Sequence, residues 1–269
     1  MTKAILITGS TDGIGLEAAK VLAAAGHDLL LHGRSEAKLD DARRIVEGVG
    51  GSGAVETHQA DLSSIDGVES LAAAVARRPT ALDVLINNAG VFRVAEPVAP
   101  NGLDLRFMVN TIAPYLLTRR LCPLLPSDGR IINLSSAAQA PVDPDAVRGD
   151  KALDDSTAYA QSKLALTMWS IHVAHEAGGD GPVVVAVNPG SFLGTKMVKE
   201  AYGTSGEDIG IGADILLRAS TSAEFDHASG RYFDNDARRF ADPHPDALDP
   251  AKNAAMVELL DTILETLGG

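Results

Sequence analysis

Two residue types that together perform proton chemistry stand four positions apart, as Tyr159 and Lys163. If the segment is helical, this spacing places both side chains on one face of the helix. An isolated tyrosine has a pKa of about 10, and a neighbouring ammonium group stabilises the phenolate, which lowers that pKa. A phenol adjusted in this way exchanges a proton with a substrate. The pair therefore predicts acid/base chemistry, provided that its surroundings supply the other groups which that chemistry needs.

Two hydroxyl side chains, Ser135 and Ser136, follow the apolar run Arg130–Leu134. Such a run is typical of a buried strand, and open α/β proteins bind ligands where their parallel strands end. A serine there either polarises a substrate carbonyl or caps the following turn. The residues alone leave both interpretations open.

A glycine-rich turn, Thr8–Gly15, lies between the first apolar run and a helical pattern over Leu16–Ala25. Its glycines let the backbone approach a pyrophosphate, and the following helix presents free N–H groups and the positive end of its dipole. This arrangement predicts a dinucleotide cofactor. The alternative is a strand-to-helix turn that binds nothing.

The pattern of short apolar runs and amphipathic segments predicts the elements that position these residues. Only βαβ crossovers bury strands on both faces, so the alternation indicates a doubly wound parallel sheet with helices on both sides, a Rossmann fold. We expect residues 1–269 to form a single domain, with a seventh strand at Gly230–Phe233 and a last helix over Asn253–Leu267. The six clearest predicted strands are Ala4–Thr8, Asp28–His32, Ala54–Gln59, Asp83–Ile86, Arg130–Leu134 and Val183–Val187.

Two acidic segments that contain prolines, Pro141–Ser156 and Asp234–Pro250, interrupt the alternation. Both are predicted to be long surface loops, a kind of element that often contacts substrates in α/β enzymes. We therefore expect substrate loops near residues 141–156 and 191–250.

Composition limits the partners of the chain. The formal net charge of −13 disfavours nucleic acid and anionic membranes, which would be repelled. We find no apolar run of the roughly 18 residues that a membrane span needs. The single cysteine, Cys122, fits a reducing compartment. His172 and His175 have no ligand partners at metal spacing. We expect a cytoplasmic protein that acts on a small molecule, with no metal, nucleic acid or membrane span.

The glycine spacing of Thr8–Gly15, Gly-x3-Gly-x-Gly, resembles the cofactor motif of the short-chain dehydrogenase/reductase family, and Asn87–Gly90 resembles its second hallmark. With Tyr159 and Lys163 after the fifth strand, the resemblance extends from Thr8 to Thr195. It implies a nicotinamide-dependent oxidoreductase, as a homodimer or homotetramer. Leu105–Asn110, Tyr159–Leu164 and the enlarged segment before Tyr159 are similar to the retinol-dehydrogenase-like branch, which implies a hydrophobic aldehyde, ketone or alcohol as substrate.

The resemblance also implies a role for each matching residue. Tyr159 donates the proton in reduction, while Lys163 lowers the pKa of Tyr159 and holds the nicotinamide ribose. Ser136, rather than Ser135, stabilises the developing oxyanion, and Asn110 matches the fourth catalytic position. The implied cofactor contacts are Thr8, Gly9, Ser10, Thr11, Gly13, Ile14, Gly15, Arg34, Ser35, Asp61, Leu62, Asn88, Ala89, Gly90, Tyr159, Lys163, Pro189, Gly190 and Thr195.

The end of the second predicted strand bears on which dinucleotide is used. Rossmann enzymes specific for NAD place an acidic residue there, and this chain has Gly33 followed by Arg34. The guanidinium of Arg34 suits a bidentate contact with a 2′-phosphate. We therefore expect NADP(H) to be favoured over NAD(H). Asp12 points the other way, because some NADP-specific members of the family carry a basic residue at this position.

Pro114 lies four positions after Asn110, in a helix predicted from about Leu103 to Leu121. Proline has no N–H and crowds the carbonyl four residues before it, so the helix is expected to bend and to free the Asn110 carbonyl. In the resembling family an asparagine here holds a water that serves the catalytic lysine. We expect the same water between the Asn110 carbonyl and Lys163.

Two other functions compete with this interpretation. A catalytically silent NADP(H)-binding regulator or scaffold is compatible with the same fold, but it would not need Ser136, Tyr159 and Lys163 together. An extended sugar-nucleotide epimerase or dehydratase would need a larger C-terminal substrate domain than the residues after Val187 provide. The identity of the substrate and the direction of the reaction are not readable from the sequence.

Overall fold

The computed structural model describes residues 2–268, with residues 201 and 202 described by their backbone alone. One sheet of eight strands runs through the described chain in the order β3-β2-β1-β4-β5-β6-β7-β8. Strands β1 to β7 pair in parallel, and β8 pairs antiparallel with β7. The strands are β1 Ala4–Ile7, β2 Asp28–Gly33, β3 Val55–Gln59, β4 Val84–Asn87, β5 Arg130–Leu134, β6 Val183–Asn188, β7 Tyr232–Asp234 and β8 Arg239–Ala241.

Helices cover both faces of this sheet because its central strands are apolar on both sides. Leu6 and Leu30 point into the helix layer on one face, whereas Ile5 and Leu29 point into the layer on the other. The helices are α1 Gly13–Ala24, α2 Glu36–Glu47, α3 Ile65–Ala76, α4 Leu105–Phe107, α5 Ala113–Leu121, α6 Pro144–Arg148, α7 Asp155–Ala177, α8 Lys196–Tyr202, α9 Gly210–Thr221 and α10 Pro250–Leu267. The predicted doubly wound fold is confirmed, with eight strands rather than about seven.

The two segments predicted to be loops contain regular structure, and this corrects the sequence-based prediction. The first contains α6, which begins where Asp143 accepts the Asp145 N–H at 3.0 Å. The second contains β8, whose Phe240 packs edge-on against Phe225 and Phe233 at ring-centroid distances of 5.2 and 5.0 Å. Helix capping in the first segment and aromatic packing in the second therefore form regular structure where the acidic composition predicted surface loops.

The helix that carries Asn110 is interrupted before Pro114. Between α4 and α5 the segment Met108–Ile112 is π-helical, and the Ala113 N–H donates to the Met108 carbonyl, five residues back. The extra residue in this turn accommodates the missing proline N–H, and π-helical turns of this kind are frequent at functional sites. The sequence predicted a bend near this point, and the structure has a widened turn there.

None of the helices between residues 2 and 268 combines the length and the apolar character that would let it cross a membrane.

Candidate active site

The carboxyl ends of the parallel strands open into a cleft of about 590 Å³. Parallel strands all end at this edge, so the turns that follow β1, β2, β4, β5 and β6 meet around it. The glycine-rich turn and the start of α8 lie side by side along the cleft, since a Cβ on Gly13 would lie 3.8 Å from the Thr195 Cγ2. The predicted site residues that line it are Gly9, Thr11, Gly13, Ile14, Arg34, Asp61, Leu62, Asn88, Ala89, Gly90, Ser136, Tyr159, Lys163, Pro189, Gly190 and Thr195.

Five of the predicted site residues do not line the cleft, namely Thr8, Ser10, Gly15, Ser35 and Asn110. The Thr8 hydroxyl accepts the Asn88 and Ala89 N–H groups, both at 3.0 Å, and so ties the turn after β4 to the turn after β1. Ser35 caps α2 by accepting the Lys38 N–H at 3.4 Å. The hydroxyls of Thr8 and Ser35 thus fix the backbone around the cleft.

The glycine-rich turn depends on a backbone conformation that suits glycine. Gly9 has a φ of 66°, and a Cβ at this position would lie 2.9 Å from the Ala89 Cα. A side chain would therefore push apart the turns after β1 and β4. Helix α1 begins four residues later, with its N-terminus at the cleft and Asp12 capping it by accepting the Gly13 N–H at 2.8 Å.

His32 at the end of β2 supports the same turn and was missed by the sequence analysis. Its Nδ1 accepts the Gly9 N–H at 3.1 Å, and its Nε2 lies 3.2 Å from the Ala60 carbonyl. Burial lowers the pKa of His32 to about 4, so the ring is neutral at pH 7 and Nε2 donates to that carbonyl. Ser10 completes the brace by accepting the His32 N–H at 2.9 Å.

At the carboxyl end of β2, two cations line the cleft, and residue 33 is a glycine rather than an acidic residue. A Cβ on Gly33 would lie 2.6 Å from the Thr11 Cγ2, so Thr11 fills the space that a side chain at residue 33 would need. Arg34 and Lys38 line the cleft here, and both are exposed. Lys38, on the first turn of α2 and four positions after Arg34, was not predicted.

Tyr159 and Lys163 lie on one face of α7, as their spacing predicts. The helix begins at Asp154, whose carboxylate accepts the Ser156 and Thr157 N–H groups, both at 3.0 Å. The Lys163 Nζ lies 5.7 Å from the centroid of the Tyr159 ring. Phe92, on the turn after β4, packs edge-on against that ring at a centroid distance of 4.9 Å. The phenol is thus held between α7 and the wall of the cleft.

Lys163 is buried at the base of the cleft. Its Nζ donates to the Leu134 carbonyl at 2.7 Å, and burial lowers the pKa of its ammonium group to about 8. Gly90 leaves space beside it, since a Cβ there would lie 3.6 Å from the Nζ. At pH 7 the group still carries its proton, close enough to Tyr159 to stabilise a phenolate.

The two serines after β5 have different surroundings. The Ser135 hydroxyl is buried and lies 2.7 Å from the Thr167 hydroxyl, inside the protein. The Ser136 hydroxyl is half-buried and accepts the Ala138 N–H at 3.1 Å. Accepting that bond does not use the hydroxyl proton, so Ser136 is the better placed of the two to donate to a substrate oxygen.

Asn110 uses its side chain to fasten the turn after β4. Its Oδ1 accepts the Val91 N–H at 2.8 Å, and its Nδ2 donates to the Val91 carbonyl at 2.9 Å and to the Ser162 hydroxyl at 3.0 Å. Ser162 in turn donates to the Tyr159 carbonyl at 2.7 Å. Asn110 therefore connects the cleft wall to α7.

Across the described part of the chain, no group of three or more histidine, cysteine, aspartate or glutamate residues is arranged to hold a metal ion.

Comparison with known proteins shows the family of the chain. The family model for short chain dehydrogenases matches residues 3–205. Retinol dehydrogenase 13 from Mus musculus is 31% identical over 268 residues, which cover 92% of this chain and 79% of the relative. An uncharacterised protein from Mycobacterium Paratuberculosis shares the fold, with a TM-score of 0.80, 24% identity, and coverage of 98% of this chain and 93% of that one. The angucycline C-6 ketoreductase LanV, with bound NADP, has a TM-score of 0.70, 26% identity, and coverage of 87% and 93%.

Proposed function

The chain belongs to the short-chain dehydrogenase family, and on that premise we propose an NADP(H)-dependent oxidoreductase that acts on a carbonyl or alcohol substrate. The match to a mammalian retinol dehydrogenase confirms the resemblance to the retinol-dehydrogenase-like branch. The observation that carries the proposed activity is that Ser136, Tyr159 and Lys163 share one cleft with the glycine-rich turn. A cytoplasmic location and assembly as a homodimer or homotetramer stay predictions.

The residues of the cleft fit a dinucleotide. The absence of a side chain on Gly9, the N-terminus of α1 and the volume of about 590 Å³ provide a cradle for a pyrophosphate and room for a nucleotide at each end. Asp61 and Leu62 would flank the adenine, and Pro189, Gly190 and Thr195 would hold the nicotinamide carboxamide. When bound, the nicotinamide supplies the site that gives or accepts the hydride.

The proton chemistry belongs to the chain itself. In reduction, Tyr159 donates its phenolic proton to the substrate oxygen, and the Lys163 ammonium stabilises the phenolate that remains. Ser136 donates a hydrogen bond to the same oxygen and stabilises the charge that develops on it. In oxidation, the same groups act in reverse, with the Tyr159 phenolate accepting the proton of the alcohol.

A preference for NADP(H) rests on the second strand and its following helix. Arg34 and Lys38 place two cations where a 2′-phosphate would lie, and Gly33 brings no carboxylate to repel it. The similarity to LanV, whose structure contains NADP, supports the same choice. Asp12, which the sequence raised against it, is engaged in capping α1.

A hydrophobic substrate is proposed from the wall beyond the catalytic residues. The side chains there are mostly apolar, and two of the similar proteins are named for a retinol and for a ketone. The apolar residues lining this end are Val91, Phe92, Leu105, Val109, Phe192, Leu193, Met197 and Val198.

The activity is tested by offering the purified chain a panel of apolar aldehydes and ketones with NADPH, alongside a Tyr159→Phe variant. The substitution removes one oxygen and its proton and keeps the ring, so NADPH binding should survive while turnover falls by at least about 100-fold. Tyr115→Phe is the matched control, because that phenol is outside the residues that line the cleft and donates to Asp261 at 2.6 Å. Turnover by Tyr159→Phe close to that of the parent would remove Tyr159 from the mechanism.

The cofactor preference is tested with Arg34→Ala and Lys38→Ala. Loss of a charge-assisted contact to the 2′-phosphate should raise the KM for NADPH by about 10-fold or more for Arg34→Ala and leave the KM for NADH nearly unchanged. Arg44→Ala, on α2 but outside the residues that line the cleft, is the control. Equal use of both cofactors by the unmodified chain would contradict the assignment.

A further inference from the structure

The turn between β7 and β8 reaches the cleft indirectly, through two side chains. We propose that Asn235 and Asp236, here called the turn pair, are positioning residues that fix the segment Asn188–Ser191 and thereby orient the nicotinamide end of the cofactor. The inference rests on the proposed function in one respect, namely that Asn188–Ser191 lies against the nicotinamide.

The topology of the sheet brings these two segments together. Strands β6 and β7 are parallel and in register, with Asn188 opposite Asp234. Chain that leaves β7 therefore emerges beside chain that leaves β6, at the edge where the cleft lies. Antiparallel β8 then returns the chain through a tight turn in which Arg238 has a φ of 54°. The turn pair is consequently held between two paired strands, on rigid backbone.

The carboxylate of Asp236 accepts three hydrogen bonds from the segment Asn188–Ser191. It accepts the Ser191 N–H at 2.8 Å, the Ser191 hydroxyl at 2.6 Å and the Asn188 Nδ2 at 2.9 Å. Burial raises the pKa of Asp236, but the bonds from Ser191 and Asn188 together outweigh it and hold that pKa below its ordinary value, so the carboxyl is ionised. Bonds to an ionised acceptor are about twice as strong as neutral ones.

Asn235 holds the carbonyl side of the same segment. Its Nδ2 donates to the Pro189 carbonyl at 2.9 Å, and its backbone N–H donates to the Asn188 carbonyl at 3.2 Å. Asn235 is buried, so these bonds are shielded from water. Between them, the two members of the turn pair engage three of the four residues from Asn188 to Ser191 directly.

The segment needs such support because of its composition. Pro189 has no N–H to offer, and Gly190 has a φ of 124°, a conformation open to glycine but rarely to other residues. The Gly190 N–H reaches only the Asn188 Oδ1, at 3.3 Å. A proline–glycine pair outside regular structure is held poorly by its own backbone, and the turn pair supplies the missing bonds.

The turn pair also lies outside residues 3–205, which match the family model. Its contacts come from the C-terminal part of the chain, and they act at the end of the cleft where the nicotinamide would lie. The adenine end, near Arg34 and Asp61, is held by β2 and β3 instead. The structure thus predicts that loss of the turn pair weakens binding of the nicotinamide half and spares the adenosine half.

The test uses the full chain with Asp236→Ala and Asn235→Ala. Its two ligands are NADPH and adenosine 2′,5′-bisphosphate, which lacks the nicotinamide half. We expect the Kd for NADPH, measured by nicotinamide fluorescence, to rise by about 10-fold for Asp236→Ala and kcat to fall with it. The Kd for adenosine 2′,5′-bisphosphate should stay within about 2-fold of the parent value, which also shows that the variant is folded. Asp236→Glu, which keeps the charge, should recover part of the loss, and Asp242→Asn, an exposed residue after β8, is the control.

Hydrogen exchange of the free chain supplies a readout that needs no ligand. Asp236→Ala should speed exchange of the amides at Gly190 and Ser191 relative to the parent, with β6 itself unchanged. Unaltered exchange there would overturn the inference, as would an equal loss of affinity for both nucleotides. If the unmodified chain binds neither nucleotide, the proposed function fails, and the exchange measurement still decides whether the turn pair fixes the segment.

Discussion

The buried ion-pair network around Arg106 makes a sharp prediction about stability. The Arg106 side chain is only 1% exposed and bonds Asp104 on its own turn and Asp155 at the start of α7. Its Nε donates to Asp104 at 2.8 Å, and Asp104 is itself only 13% exposed. Replacing Arg106 by Met keeps an apolar stem of similar length and leaves the Asp104 carboxylate buried without its cation.

The expected cost follows from that unpaired charge. Breaking a buried pair by removing one partner costs about 3–5 kcal/mol, and for a chain of this size that corresponds to a fall in Tm of about 10 °C. Asp155 differs, since it is 43% exposed and its pair is partly screened by water. Asp155→Ala should therefore cost no more than about 1 kcal/mol, from a surface pair and a charge at a helix N-terminus.

Urea unfolding, followed by the fluorescence of the buried Trp169, measures the free energy of unfolding of the parent, of Arg106→Met and of Asp155→Ala. The decisive comparison adds the double variant Asp104→Asn with Arg106→Met, in which the asparagine can still cap α4 and no charge is stranded. This double variant should be more stable than Arg106→Met alone. The reasoning is refuted if Arg106→Met unfolds within about 1 kcal/mol of the parent, or if neutralising Asp104 brings no recovery.

Two further predictions concern the catalytic helix and its surroundings. Burial lowers the pKa of Lys163 from 10.5 to about 8, so between these pH values the unfolded chain binds more protons at this residue than the folded chain does. The stability of the parent relative to Lys163→Met should therefore rise across that interval, by up to about 3 kcal/mol, in unfolding experiments at pH 7.5 and 10.5; a flat difference would contradict the burial argument. A high-resolution crystal structure should show a water between the Asn110 carbonyl and the Lys163 ammonium, at the π-helical turn; a protein donor on that carbonyl would exclude it.

Strands buried on both faces were readable because their signal is local. β1, β2 and β4 to β6 are short apolar runs, and each starts and ends within a residue or so of its predicted position. β8 was not predicted, since Arg239–Ala241 is three residues long with a charged member and is defined by pairing with β7. Likewise, Pro114 signals a lost helical bond, but its sequence position does not distinguish a kink from the π-helical turn that the chain adopts.

The site residues likewise divide into those with a local sequence signal and those defined by contacts with distant parts of the chain. A motif states which residues a turn contains and says little about the direction in which each side chain points, so Thr8 and Ser10 were placed on the cofactor and do not line the cleft. His32 and the turn pair were not predicted, because the contacts described for them are with residues at least 22 positions away in sequence. Lys38, in contrast, is only four positions after Arg34, on the first turn of α2, and could have been predicted from the sequence as a second cation beside it.

The acidic segments show how composition misleads when position is ignored. Four of their aspartates were assigned to solvent as members of charged runs, yet each accepts backbone N–H groups at a defined point. Asp143, Asp154 and Asp249 cap α6, α7 and α10, and Asp236 holds the Ser191 N–H. Asp143 and Asp249 are each followed by a proline at the first helical position, where a missing N–H costs nothing and the fixed φ favours the helix. At these two positions an aspartate–proline pair marks a helix start, whereas Asp242–Pro243 in the second segment begins no helix. The pair alone is therefore not enough, and the apolar residues that follow at helical spacing must be read with it.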